Sequence, residues 1–174
     1  MKTEMKTEQN TTLMYILLVI AQILVCNFIN VGPYVFISIL PAIILCLPPT
    51  IPCILLMLLA SVSGLAVDWL AEGIIGLNMA SILPVAFIRN PLCRLLFGRE
   101  HMERGENFSI RKNGISKVAA AIVICQALFL AVYIFLDGAG TRPFLFCLSR
   151  FAASLLCGCL LSLPVVNMLT SNER

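Results

Sequence analysis

Residues 51–72 read IPCILLMLLASVSGLAVDWLAE, in which no charge appears from Ile51 to Val67 and Asp68 and Glu72 then follow four apart. At 1.5 Å per residue, an uncharged run of this length reaches about 25 Å, close to the ~30 Å hydrocarbon core of a bilayer. Its residues are apolar on every side. That excludes the one-sided stripe of a soluble helix and the alternation of a barrel strand. The surrounding chain is built alike. From Gln9 to Ile88 the only charges are Asp68 and Glu72. Across all 174 residues, 60% are hydrophobic and 12% charged, with a mean hydropathy of +0.98. Soluble domains are roughly 45–50% apolar and about 25% charged. So little polar surface excludes a soluble, disordered or nucleic-acid-binding chain. The composition predicts an all-α, polytopic membrane helix bundle forming a single domain over residues 13–169.

Six apolar segments are expected: Leu13 to Asn30, Tyr34 to Leu47, Ile51 to Val67, Gly73 to Ile88, Lys117 to Leu136 and Pro143 to Leu169. The second is short, and Pro41 in its middle predicts a kinked or partly re-entrant element shielded by its neighbours. The first follows Lys2 and Lys6 as a signal peptide would. It is longer than a usual h-region and has no Ala-x-Ala site, so it is expected to be a retained membrane helix. The opening repeats Met-Lys-Thr-Glu and is expected to be a polar tail over residues 1–12, with a second tail at 170–174.

Basic residues orient the spans. Lys2, Lys6, Arg174 and seven residues between Arg89 and Lys117 fall on one side of a six-span chain, against Arg142 alone on the other. Both termini and the basic segment 89–117 are therefore expected in the cytoplasm. Within that segment, Arg89-Asn90-Pro91 is expected to break the fourth helix. Leu92 to Phe97, with Arg94, would then form a short interfacial helix, followed by a solvated loop from Glu100 to Asn113. That segment is either a docking surface or a topology anchor.

A few polar residues interrupt the apolar runs. Asp68 and Glu72 share a helix face. Glu72 is expected at a water-facing turn with Trp69 as anchor, whereas Asp68 stands between that role and an intramembrane one. Arg150 lies seven residues into the sixth span, where it would snorkel to headgroups or pair with Asp68. Small residues recur four apart at Ala60/Gly64, Gly76/Ala80, Ala127/Ala131 and Ser154/Gly158, as in closely packed membrane helices. Asn78 is placed to cap or bridge helices. The eight cysteines lie mostly in apolar runs and are expected to be structural. No zinc-ligand spacing, catalytic triad or phosphate loop is present, so neither a metal, a cofactor nor an enzyme is expected.

The stretch Gly64-Leu-Ala-Val-Asp68, the turn from Gly73 to Leu77 with Asn78, and Arg89-Asn90-Pro91-Leu92-Cys93-Arg94 together resemble the rod shape-determining protein MreD family. The resemblance covers about Leu55 to Gly98. It implies a non-enzymatic scaffold in the bacterial inner membrane. Such a scaffold contacts the bitopic MreC and, through it, MreB, RodA and the elongation transpeptidase, supporting lateral peptidoglycan synthesis and cell shape. The residues carried over are Gly64, Asp68, Gly76, Asn78, Arg89 and Arg94, as structural or partner contacts, and Arg150 is added on its own chemistry. The same plan also resembles the substrate-binding subunit of an energy-coupling-factor vitamin transporter, which would need a polar pocket facing outward.

Overall fold

The computed structural model of the chain describes residues 2–28, 32, 35–98, 114–138 and 142–171. The expected loop from Glu100 to Asn113, the tail at Arg174 and the side chains of Lys2 and Lys6 lie outside what it describes. The described residues form helices α1 (Lys2–Phe28), α2 (Leu40–Cys46), α3 (Cys53–Val67), α4 (Leu77–Phe97), α5 (Ile115–Gly138) and α6 (Phe144–Ser171). A π-helical turn, Asp68–Glu72, continues α3.

Among the described residues, four stretches are long and apolar enough to cross a membrane: Cys53–Glu72, Leu77–Phe97, Ile115–Gly138 and Phe144–Val166. The apolar part of α1, Thr12–Phe28, is shorter. α3, α4, α5 and α6 pack in chain order, each on the next. Their outer faces carry exposed Leu58, Phe87, Phe135 and Leu156, as hydrocarbon surroundings require. The polar opening is helical, α1 beginning at Lys2.

The second apolar segment departs most from expectation. Of its described residues only Leu40–Cys46 is helical, and Val35 to Ile39 belongs to no helix or strand. Pro41 does not kink a helix. It lies in the first turn of α2, where a missing N–H has no partner to lose. α2 touches α1, α3, α4, α5 and α6 and is buried from Leu40 to Leu45.

Non-helical backbone enclosed by neighbouring helices needs hydrogen-bond partners, because a buried N–H or carbonyl left unpaired is costly. Side chains of three helices provide them. Gln22 of α1 accepts from the Ile39 N–H at 2.8 Å and donates to the Ile37 carbonyl at 3.2 Å, pairing with the segment as a neighbouring strand would. Gln126 of α5 donates to the Ser38 carbonyl at 3.0 Å. Ser154 of α6 accepts from the Phe36 N–H at 2.8 Å. Gly158, one turn on from Ser154, leaves room for the Gln126 amide, which a Cβ there would overlap.

The expected break at Arg89-Asn90-Pro91 does not occur. α4 runs unbroken through Pro84 and Pro91 to Phe97. Leu92 and Cys93 are buried beyond Pro91, and Arg89 before it is tied to α2, so packing on both sides holds the helix through the proline.

Replacing Gln22 by leucine strands the Ile37 carbonyl and the Ile39 N–H. The expected loss of unfolding free energy in detergent is about 2 kcal/mol. Ile16→Ala, on an exposed face of α1, is expected to change it by a fraction of that.

Candidate functional site

Gly64, Asp68, Gly76 and Asn78 meet in one joint between α3 and α4. The π-helical turn closes when the Gly73 N–H donates to the Asp68 carbonyl at 2.8 Å, and Gly73 and Gly76 take positive φ of 72° and 103°. The chain thereby turns back within four residues, and α4 starts at Leu77 without a side-chain cap of its own. Asp68 supplies that cap from the preceding helix. One carboxylate oxygen accepts from the Asn78 N–H and the Asn78 side-chain amide, both at 2.9 Å. The other accepts from the N–H groups of Gly76 at 2.9 Å and Met79 at 3.2 Å.

Those backbone donors are ones an N-cap side chain ordinarily serves, and the positive end of the α4 dipole faces the carboxylate. Asp68 and Asn78 are fully buried. Gly64 permits the approach: a Cβ there would stand 2.7 Å from Met79 Cα. Asp68 is therefore a buried group that ties α3 to α4 rather than an exposed marker of the turn.

Arg89 is buried as well, and not a solvated loop charge. Its guanidinium donates to the carbonyls of Leu45, at 3.4 Å, and Leu47, at the C-terminal end of α2. These are carbonyls the helix cannot satisfy itself, and a cation suits the negative end of its dipole. Arg94, one turn further along α4, is exposed. The structure thus places Arg89 and Arg94 in different settings.

Arg150 pairs with Asp137 of α5, not with Asp68. The acceptor positions of Asp68 are taken by the first turn of α4, whereas Asp137 also draws Arg142, at 3.8 Å. The Arg150 guanidinium lies 5.8 Å from the centre of the Tyr133 ring. Tyr133 stacks on Phe36 with centroids 4.0 Å apart and donates its hydroxyl to Glu72 at 2.9 Å. Glu72 is accordingly half-buried and bonded across the bundle, not merely at a water-facing turn. One oxygen of Glu72 and the Arg150 Nε are buried without a hydrogen-bond partner.

Gln22, Gln126, Tyr133 and Asp137 were not predicted as site residues. The two glutamines are amides isolated in apolar runs, which is the signal that would have found them. Among the described residues, no three His, Cys, Asp or Glu side chains are grouped to hold a metal ion. No family model, curated protein or solved structure matches the chain.

Asp68→Ala is expected to leave four donors of α4 unpaired and to lower stability in detergent on the order of 3 kcal/mol. A double-mutant cycle separates the arginine pairings: Arg150→Leu with Asp137→Leu is expected to be non-additive, and Arg150→Leu with Asp68→Leu additive.

Proposed function

We propose that the chain is a non-enzymatic scaffold of the MreD type in a bacterial inner membrane. There it would hold an MreC-like bitopic protein and, through it, MreB, RodA and the elongation transpeptidase. The observation that carries this reading is the α3–α4 joint. The residues on which the family resemblance rests, Gly64, Asp68, Gly76 and Asn78, converge on one buried carboxylate. They brace two helices, which is the work of a scaffold, and present no nucleophile or base to a substrate.

The reading includes six crossings with both termini cytoplasmic. Four long helices and α1 account for five. The sixth is the non-helical segment from Val35 to Ile39 together with α2. A bipartite crossing of this kind is tolerable only where protein surrounds it, as Gln22, Gln126 and Ser154 do here. One feature favours a transporter's substrate-binding subunit instead: Glu72 and Arg150, which both neighbour Tyr133, each keep a buried polar atom without a hydrogen-bond partner.

Affinity purification of the tagged chain from native membranes in mild detergent separates the two. Recovery of a bitopic periplasmic coiled-coil protein with cell-wall synthases is expected. Recovery of a membrane coupling subunit with paired ATPases would replace the scaffold by the transporter. For topology, single cysteines at Gly32 and Thr50, in a chain otherwise freed of cysteine, are expected to label from opposite faces of the membrane. Labelling from the same face would remove the sixth crossing.

A further inference from the structure

Where α5 ends and α6 begins, the two helices diverge around an open groove of about 440 Å³. Ala131, Phe135 and Gly138 form its α5 wall, Cys147 and Phe151 its α6 wall, and Arg142 stands among the lining residues at the connection. Ala131 precedes Gly138 by seven residues and Phe151 follows Phe144 by seven. The groove therefore descends about 10 Å from the helix ends. Its walls are apolar, and it opens on the outer surface of the bundle, where Phe135 and Leu148 are exposed.

Charge at the mouth identifies what fits. Asp137 is shared by two guanidiniums, with Glu72 behind it on Tyr133. Arg150 holds Asp137 directly, whereas Arg142 reaches it only at 3.8 Å with 40% of its side chain exposed. Arg142 is thus the loosely held cation at the mouth, with N–H donors to offer. The Phe146 ring, 5.2 Å below the Arg142 guanidinium, steadies that side chain beside the groove. The N-terminus of α6 at Phe144 adds its partial positive charge at the same level.

We propose that this groove binds one anionic phospholipid of the surrounding membrane, with its phosphate on Arg142 and the first part of an acyl chain along Ala131 and Phe151. An apolar slot beneath a loosely paired, exposed guanidinium, at the end of membrane-length helices, complements a phosphate above hydrocarbon. The site is independent of the scaffold reading, because it uses neither the Asp68 joint nor any protein partner.

Delipidated protein in neutral detergent, titrated with phosphatidylglycerol or phosphatidylcholine of the same chain length and read by native mass spectrometry, tests it. The wild type is expected to retain one phosphatidylglycerol about five-fold more strongly than phosphatidylcholine, the preference of a single arginine at the interface. Arg142→Gln is expected to abolish that preference, and Ala131→Phe to abolish retention of both lipids. A measurement without substitution stands beside these: phosphatidylglycerol is expected to slow the reaction of Cys147 with a maleimide, mapped by peptide mass. Equal retention of the two lipids by the wild type, a preference that survives Arg142→Gln, or an unchanged Cys147 rate would each overturn the proposal.

Discussion

A buried peptide group that leaves the helix must find a new partner, and two of the described stretches that leave it organise the rest. One is the non-helical stretch from Val35 to Ile39. Its Phe36 and Ile39 N–H groups and its Ile37 and Ser38 carbonyls are met by Gln22, Gln126 and Ser154, drawn from α1, α5 and α6. The other is the turn from Asp68 to Gly76, where a carboxylate from one helix satisfies the first N–H groups of the next. Van der Waals packing alone is a weak guide to how apolar helices assemble in lipid. These polar contacts are directional, so they fix which helix stands beside which.

The same logic explains why charges tolerated nowhere else occur at Asp68 and Arg89. Each answers the unsatisfied end of a helix: Asp68 the N-terminus of α4, Arg89 the C-terminus of α2. Each comes from a different helix than the one it caps, so it couples two elements instead of finishing one. α2 is too short to be stable alone, and its burial among five neighbours supplies what its length does not. Gly64 and Gly158 do the complementary steric work by leaving space for the α4 backbone and for the Gln126 amide.

Helical class and the approximate bounds of the long elements were legible in the sequence, because uncharged runs near 20 residues admit few other structures. The Asp68 joint was half legible: a glycine, an aspartate and a glycine-bounded turn marked the place but not the geometry. The non-helical segment was not legible. Val35 to Ile39 is as apolar as a helix would be, and its conformation depends on side chains far away in sequence. Pro41 and Pro91 misled in opposite ways, since one starts a helix and the other is carried through by packing around Arg89, Leu92 and Cys93. The partner of Arg150 was misassigned because depth along the chain does not say which face a side chain takes. Asp137, the residue just past the fifth apolar segment, is the partner instead.

Residue-resolved amide hydrogen exchange in lipid nanodiscs reports most directly on whether side chains satisfy the non-helical backbone. The account predicts that the N–H groups of Phe36 and Ile39, which belong to no helix, exchange as slowly as those in the middle of α5. It predicts the same for Gly76, Asn78 and Met79. Exchange at Phe36 and Ile39 as fast as at an unprotected peptide would contradict it, for the segment would then be solvated and the glutamines idle.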